Sequence, residues 1–235
     1  MLIIKNEHID KKGIHYKIKD YSCNKVSDIN EVVGKGITES HYSEENKYYE
    51  NGIYLMKHKK DSNKAFRIYK DYNLYDYIYH DDANMLSELN KRQKDVKLTE
   101  FPTAVISVNN TVIGQEIPYY DGYIPLIKKI KDIKSPKELL YIYKQIIEII
   151  KELLENGIYY KDIHAGNFMI KDNIIKLIDF DTAFIDFDDE RSYSTVIYNL
   201  KWLLMGIDVN KLINLDLKEC NIFDEVEQKV KSKVM

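Results

Sequence analysis

Residues 159–183 read YYKDIHAGNFMIKDNIIKLIDFDTA, and this stretch decides the fold. Several polar groups stand there among isoleucine, leucine and phenylalanine residues. This pattern is unusual because a carboxylate is costly to bury unless it is paired or binds a metal. The stretch therefore predicts a functional site rather than an ordinary core segment or a set of plain turns. Its polar residues are Asp162, His164, Asn167, Asp179 and Asp181.

The spacing of these residues fits the groups that phosphoryl transfer requires. A carboxylate must orient or deprotonate the attacking hydroxyl, and oxygen ligands must hold Mg²⁺ against the phosphates. Asp162, followed five residues later by Asn167, offers a base and a metal ligand on one loop. Residues 168–180 predict a β-hairpin that turns at residues 172–173 and brings Asp179 back beside Asn167.

This arrangement resembles the protein kinase-like superfamily, whose catalytic loop H-R-D-x-x-x-x-N is followed by a strand and D-F-G. The counterparts here are Tyr160-Lys161-Asp162, Asn167 and Asp179-Phe180-Asp181. The wording DIHAGN and LIDFD looks more like bacterial small-molecule and atypical kinases, of aminoglycoside or choline kinase type, than eukaryotic Ser/Thr kinases. The resemblance implies that Asp162 is the catalytic base and that Asn167 and Asp179 bind Mg²⁺. Asp181 replaces the last glycine and would add a carboxylate near the metal. His164 is expected to hold the loop, and a proton carrier is the alternative interpretation.

Two glycines upstream resemble the start of a phosphate-binding loop. Gly34-x-Gly36 lies before paired strands, and Gly52 would be a displaced third glycine. A lone G-x-G pattern is weak, and a plain hairpin turn is the alternative interpretation of the first two glycines.

The cation that would grip the phosphates departs from the family pattern V-A-I-K. The strand at 64–70 matches best with Ala65 as the adenine-facing alanine, which places Arg67 at the lysine position. Alternate residues share a strand face, so Lys70 points the other way unless a bulge intervenes. Either Arg67, which we favour, or Lys70 holds the phosphates, or activity is impaired, because Arg and Lys are not interchangeable at a tight site. Glu88 is the expected ion-pair partner of that cation.

The adenine ring is expected to lie further along the chain. TAVISVNN and TVIGQEI predict a hairpin that turns at Asn109–Asn110. Because this hairpin leads into a connector with proline and glycine, the backbone of residues 115–117, with Glu116 and Ile117, is expected to pair with the adenine edge in a cleft between two lobes.

The chain as a whole predicts an α+β fold of two lobes. Residues 1–118 form a β-rich N-terminal lobe, with strands at GIYLMKH and KAFRIYKDY and a helix at DDANMLSELNKRQ. Residues 119–235 form a compact, mostly helical C-terminal lobe with the catalytic and metal-binding loops. Its clearest helix, at 135–157, has Ser135 as N-cap, Pro136 at the first helical position and Gly157 at the C-terminal cap.

The C-terminal lobe is expected to end with two helices and to have only a short segment before them. A buried helix is predicted at YSTVIYNLKWLLMGID, and a charged helix after it. About a dozen residues separate DFDTA from that helix, and there is no A-P-E signature, so a long activation segment does not fit. The resemblance therefore implies a minimal, atypical kinase of bacterial or viral type.

Composition narrows the partners and the compartment. The chain has 235 residues, a net charge of −3 and no basic stripe, so nucleic acid is not the favoured partner. No apolar run approaches a membrane span, so no membrane partner is expected. Two distant cysteines, Cys23 and Cys220, make no disulfide framework. A reducing, cytoplasmic compartment is the expectation, in the producing cell or in a host cell.

The expected activity is ATP- and Mg²⁺-dependent transfer of the γ-phosphoryl group to a protein Ser, Thr or Tyr hydroxyl. A protein acceptor is favoured because small-molecule kinases of this superfamily usually have a larger C-terminal lobe. Three alternatives stay open: a small-molecule phosphotransferase, a nucleotide-binding pseudokinase that acts through protein interaction, and transfer of AMP instead of phosphate. Arg67 motivates the pseudokinase.

Overall fold

The computed structural model describes residues 1–36, 53–69, 82–185, 190–213 and 223–224. Contacts divide the chain into two units. Unit 1 comprises Met1–Lys94 and Glu100–Asp121, and unit 2 comprises Asp95–Thr99 and Gly122–Met235. The division after Asp121 lies three residues beyond the predicted lobe boundary at 118.

Unit 1 contains a seven-stranded sheet in the order β1-β4-β8-β9-β7-β6-β5. Strands β4 and β8 are parallel, and the other neighbouring strands are antiparallel. The strands are β1 (Ile3–Lys5), β4 (Lys19–Cys23), β5 (Val33–Gly36), β6 (Ile53–His58), β7 (Lys64–Tyr69), β8 (Ala104–Val108) and β9 (Thr111–Pro118).

The rest of unit 1 consists of short elements and one helix. Strands β2 (His8–Ile9) and β3 (His15–Tyr16) pair with each other, and a 3-10 helix spans Val26–Glu31. Helix α1 (Asp82–Arg92) lies at the predicted position. Its apolar residues Leu86 and Leu89 are fully buried, as the helical spacing indicated.

The predicted hairpin of β8 and β9 is confirmed. Asn109 and Asn110 form its turn with φ of 50° and 62°. Asparagine tolerates this left-handed region better than most residues, and two such residues give the turn that matches the twist of the strands. The core beside the hairpin contains Tyr21, Phe66, Ile106 and Ile113.

Unit 2 combines helices with two small sheets. Strand β10 (Ile124–Pro125) leads into helix α2 (Leu126–Lys129) and a 3-10 turn at Ile130–Asp132. The two long helices are α3 (Pro136–Glu155) and α4 (Glu190–Ile207). Three strands pair in the order β10-β12-β13, with β12 at Phe168–Lys171 and β13 at Ile174–Leu177. Strands β11 (Ile158–Tyr160) and β14 (Ala183–Ile185) form a separate pair.

Helix α3 begins and ends as the sequence predicted. The Oγ atom of Ser135 accepts a hydrogen bond from the Glu138 backbone N at 3.4 Å, and Pro136 is the first helical residue. Gly157 follows the helix with φ of 68°, a conformation that suits glycine. The apolar face is buried and forms the centre of unit 2, with Leu139, Ile142, Ile146, Ile149, Ile150 and Leu153.

Two details differ from the expectations. Residues 95–99 group with unit 2, because the N–H groups of Lys97 and Leu98 donate to the Glu152 carboxylate of α3 at 2.8 and 2.9 Å. Helix α4 begins at Glu190, three residues earlier than predicted. The predicted helix at the end of the chain lies outside the described residues, apart from Phe223 and Asp224.

The α+β class is confirmed by these elements, whereas the two-lobed kinase-like arrangement stays a prediction. Among the helices of the described ranges, none has both the length and the apolar character needed to span a bilayer.

Candidate active site

The loop at 161–167 joins β11 to β12, and the side chain of Asn167 organises it. Its Nδ2 atom lies 2.9 Å from Asp162 Oδ2, 3.0 Å from the Asp162 carbonyl oxygen and 2.8 Å from the Tyr160 hydroxyl. Asn167 is 7% exposed. The buried amide therefore fixes both the backbone and the carboxylate of Asp162.

Asp162 remains accessible although one of its oxygens is held. Its side chain is 46% exposed, and its Oδ1 atom lies 3.5 Å from His164 Nε2. The hydrogen bond to His164 holds the pKa of Asp162 below its ordinary value, and the same bond raises the pKa of His164. The carboxylate is therefore ionised at neutral pH and can be reached by a hydroxyl group.

His164 holds the loop, as expected. Its Nδ1 atom accepts a hydrogen bond from the Gly166 N–H at 3.1 Å, and its carbonyl oxygen accepts one from the Asn167 N–H at 3.0 Å. A neutral imidazole that accepts at Nδ1 has its proton at Nε2, on the side of Asp162. A Cβ atom at Gly166 would lie only 2.9 Å from the His164 ring, so a larger residue there would displace the imidazole.

The predicted β12–β13 hairpin is present and places Asp179 beside the loop. Asp172 and Asn173 form its turn with φ of 49° and 63°. At its open end the Ile178 N–H donates to the Asn167 carbonyl oxygen at 2.9 Å. Asp179 follows directly, with the unusual φ of 66°, in a region where aspartate is one of the better tolerated residues.

Tyr160 has a role that the sequence did not reveal. Its hydroxyl accepts a hydrogen bond from Asn167 Nδ2 and donates one to the Ile178 carbonyl oxygen at 3.1 Å. Tyr160 therefore joins the 161–167 loop to the segment before Asp179. Burial, together with the negative charges of Asp179 and Asp162, raises its pKa well above the ordinary value. The signal was present, since Tyr160 occupies the histidine position of the H-R-D pattern.

Asn199 is a second residue that the sequence did not single out. It lies on α4, and its Nδ2 atom donates to the Lys161 carbonyl oxygen at 2.6 Å. The Lys161 Nζ atom lies 4.1 Å from the centre of the Phe184 ring. Helix α4 and strand β14 thus support the residue just before Asp162, and no sequence pattern points to this contact.

The metal-binding role of Asn167, Asp179 and Asp181 stays a prediction. In the described parts of the chain, no group of three or more His, Cys, Asp or Glu side chains is placed to hold a metal ion. Asn167, Asp179 and Asp181 contain two carboxylates and one amide, so they are not a group of that kind. Phe180 is buried and packs against Tyr160 with ring centres 5.4 Å apart, which anchors the segment between the two aspartates.

Unit 1 contains the predicted phosphate-gripping residue. Arg67 lies in β7 and is 9% exposed, with its guanidinium 5.8 Å from the centre of the Tyr69 ring. Ala65, two residues earlier, is fully buried. Lys70 and Gly52 lie outside the described residues. Arg67 is therefore a buried strand residue, and its contact with phosphate stays a prediction.

Among the described residues, Glu88 forms no ion pair with Arg67, and a pair with Lys70 would lie outside them. Glu88 instead binds Lys91 and Arg92, three and four residues further along α1. These spacings place side chains next to each other on a helix surface, which explains the local pairing.

Gly34 and Gly36 lie within β5, which pairs with β6 with an irregular register, and the connection between the two strands lies outside the described residues. A Cβ atom at Gly34 would lie 3.0 Å from the Lys57 carbonyl oxygen of β6. Close pairing of the two strands therefore explains this glycine, whereas a contact with phosphate stays a prediction for both.

Glu116, expected near the adenine edge, is the centre of a buried ionic cluster. Its carboxylate accepts hydrogen bonds from Lys64 Nζ at 2.7 Å, from Thr103 Oγ1 at 2.6 Å and from the Tyr21 hydroxyl. Burial raises the pKa of Glu116, but these hydrogen bonds outweigh burial and lower it.

The backbone around Glu116 is also engaged. The Glu116 carbonyl oxygen accepts from the Thr103 N–H at 2.8 Å, and Ile117 pairs with Ala65 of β7. An adenine edge would therefore have to use other backbone groups of residues 115–117, and this contact stays a prediction.

The α+β fold, the anchored Asp162 and the Asn167–Asp179 hairpin together indicate a protein of the kinase-like class. A family model described as fungal protein kinase matches residues 22–197, which is more than half of the chain. The chain therefore belongs to the fungal protein kinase family. The match supports the superfamily predicted from residues 159–183 and offers no support for a bacterial or viral subtype. No curated protein matches the chain.

Proposed function

We propose that this chain is an ATP- and Mg²⁺-dependent kinase that transfers the γ-phosphoryl group to a Ser, Thr or Tyr hydroxyl of a protein. Membership in a protein kinase family supports phosphoryl transfer as the reaction class. The observation that carries the proposal is the position of Asp162, which is held by Asn167 at 2.9 Å yet keeps nearly half of its side chain exposed.

Asp162 orients the acceptor hydroxyl. Its Oδ2 atom is held by Asn167 at 2.9 Å, whereas its Oδ1 atom lies 3.5 Å from His164 in a side chain that is 46% exposed. A carboxylate with a lowered pKa is a weak base. Asp162 therefore accepts a hydrogen bond from the hydroxyl first and takes the proton late, as the oxygen bonds to phosphorus.

Asn167 and Asp179 supply oxygen atoms that suit Mg²⁺. The Asn167 Nδ2 atom is engaged with Asp162 and Tyr160, so its Oδ1 atom is the one that would face a cation. Magnesium in phosphotransferases uses one or two carboxylates besides phosphate and water, and a pair of protein ligands is therefore sufficient. When bound, the ion neutralises charge on the phosphates. Asp181, two residues beyond Asp179, would be the additional carboxylate.

The direct test is a transfer assay with γ-labelled ATP and Mg²⁺. Peptides with Ser, Thr or Tyr and a panel of amino sugars and alcohols serve as separate acceptors, and mass spectrometry distinguishes phosphate from AMP on the product. We expect label on peptides, lost in Asp162→Asn and Asp179→Asn. Label on the small molecules alone would support the aminoglycoside or choline kinase type instead. An AMP mass shift would contradict phosphoryl transfer.

A pseudokinase that acts through protein interaction is the second candidate. Arginine at the lysine position favours it, because Arg and Lys are not interchangeable at a tight phosphate site. Calorimetric titration of ATP with and without Mg²⁺ separates the two. Binding without any transfer to the acceptors would support the pseudokinase, and Mg²⁺-dependent binding that Asp179→Asn loses would support the kinase.

A further inference from the structure

A groove of about 520 Å³ lies between the first turns of α3 and the tip of the β12–β13 hairpin. Leu140, Tyr141 and Asn173 are among its lining residues. Leu140 is buried, whereas Tyr141 is 52% exposed, and Ile174 beside Asn173 is 48% exposed. Tyr141 thus presents an exposed aromatic side chain at a concave surface, which is a common feature of sites that bind a partner.

The groove is preformed because the Gln145 side chain of α3 forms two hydrogen bonds with the β12–β13 hairpin. The Gln145 Nε2 atom donates to the Asn173 carbonyl oxygen at 2.7 Å, and its Oε1 atom accepts from the Ile175 N–H at 3.0 Å. Both hydrogen bonds hold the hairpin tip against the helix. A partner would therefore bind without ordering this wall, which lowers the entropic cost of binding.

The rim of the groove has one more lysine than acid, and one of its two lysines, Lys144, also pairs with Glu148 at 3.6 Å. Lys137 and Lys144 line it together with one acid, Glu138. Residues 126–137, which lead into α3, contain five lysines and a single acid, although the whole chain has a net charge of −3. An excess of lysine around an apolar floor is complementary to an acidic segment that carries apolar side chains.

The same hairpin connects the groove with the candidate active site. Asn167 lies at its open end and Asn173 at its tip. The strand between them places the two ends roughly 16–20 Å apart, at about 3.3 Å per residue. An extended peptide of about five or six residues covers that distance.

We propose that this groove docks an acidic segment of the protein substrate, with an apolar side chain on Leu140 and Tyr141 and carboxylates beside Lys137 and Lys144. The inference rests on the proposed kinase function and adds a property of its substrates. In the substrate, an acidic–apolar segment is separated from the phosphorylated residue by at least about five residues.

The test measures binding of labelled synthetic peptides to the full chain by fluorescence anisotropy, without ATP. Three probes of equal length are used: alternating Glu and Leu, alternating Lys and Leu, and alternating Glu and Gly. We expect the Glu–Leu probe to bind best. Its affinity should fall about 10-fold or more in Lys137→Glu/Lys144→Glu, where attraction becomes repulsion. Tyr141→Ser should weaken binding of the Glu–Leu probe and leave the Glu–Gly probe unchanged.

Lys151→Glu is the matched control for Lys144→Glu. Both lysines lie on α3, both are 57% exposed, and each pairs with the glutamate four residues later. Only Lys144 lines the groove. Equal losses in the two variants would overturn the proposal, as would tighter binding of the Lys–Leu probe. Vesicles containing phosphatidylserine that bind through the same lysines, with no binding of the Glu–Leu probe, would also overturn it.

The docking site and the kinase activity can fail separately. Binding that depends on the groove, without phosphoryl transfer to any acceptor, would leave the docking surface in place and contradict the proposed function. Phosphoryl transfer whose KM for Glu–Leu-tagged peptides is the same in wild type and in Lys137→Glu/Lys144→Glu would support the kinase and contradict the docking site.

Discussion

Glu116 and Asp162 are both carboxylates whose pKa lies below the ordinary value, but their surroundings differ. Glu116 is fully buried in the sheet of unit 1 and is surrounded by the cation of Lys64 and two hydroxyl groups. Asp162 is held in unit 2 by one neutral amide and one histidine, with its side chain 46% exposed. The first carboxylate has no room for a substrate, whereas the second is positioned and still accessible.

This difference separates two uses of a charged group. A buried carboxylate stabilises a fold only when its partners are all in place, because leaving it unpaired is costly. A reactive carboxylate needs enough partners to be oriented and at least one accessible oxygen. A lowered pKa alone does not tell the two apart, but exposure and the charge of the partners do.

Asp162→Asn should have the largest effect. It keeps the shape of the side chain and removes the proton acceptor, so the rate of phosphoryl transfer should fall about 10²–10⁴-fold with little change in melting temperature. Asp172→Asn, at the other end of the hairpin, is the matched control, because asparagine also tolerates its φ of 49°. Equal activity of the two variants would remove Asp162 from the active site.

Glu116→Ala should change stability instead of chemistry. It leaves Lys64 and the hydroxyl of Tyr21 without their buried acceptor, and the free energy of unfolding should fall by about 3 kcal/mol. Urea denaturation followed by circular dichroism measures this loss. Glu138→Ala, which removes a partly exposed glutamate from α3, is the control and should stay within about 0.5 kcal/mol. A loss no larger than that control would show that the cluster contributes little.

His164→Ala should have a moderate effect. Loss of one hydrogen bond that orients Asp162 corresponds to roughly 0.5–1.5 kcal/mol, or about a 2- to 13-fold lower turnover number. Steady-state kinetics measure it. Gly166→Ala should produce a similar decrease, because a Cβ atom there would displace the His164 ring. A full-activity Gly166→Ala protein would show that the position of the ring is unimportant.

We expect the smallest effect from a decrease in pH, which should lower the stability of the folded protein. Glu116 has its pKa lowered in the folded protein, so its contribution to stability is fully present above its ordinary value of 4.5 and is lost as pH falls through the lower folded value. Wild type should therefore lose stability below about pH 4.5 more steeply than Glu116→Gln. The test is the urea midpoint of both proteins, measured as a function of pH around and below 4.5. Midpoints that fall in parallel would contradict a lowered pKa of Glu116.

Much of the fold could be predicted because it depends on local signals. Asn109–Asn110 and Asp172–Asn173 turn their hairpins since these residues tolerate positive φ. Ser135 caps α3 with a bond to a residue only three positions away. The spacing of Asp162, Asn167 and Asp179 likewise predicted a shared loop and hairpin. In the structure the Asn167 amide binds the Asp162 carbonyl oxygen, and Ile178, next to Asp179, pairs with the Asn167 backbone.

Contacts between distant residues could not be predicted. Glu88 was predicted to pair with the phosphate-gripping cation by analogy with the kinase family. In the structure its carboxylate pairs with Lys91 and Arg92, which are closer in sequence. Asn199 reaches Lys161 across 38 residues, and nothing in the pattern of α4 marks it among the other polar residues of that helix. Such contacts depend on how helices and strands pack together, and the periodicity of the sequence does not predict that packing.

The sequence by itself determined the α+β class, the two hairpins and the capped helix, because each of these rests on short-range backbone preferences. The motif residues at 159–183 also indicated the kinase-like superfamily, which the family match supports. Only the tertiary structure decided that Glu116 is enclosed, with Tyr21 bonded to it across 95 residues, and that Asp162 is accessible. Burial is a property of what surrounds a side chain, and those surroundings come from strands and helices far apart in the chain.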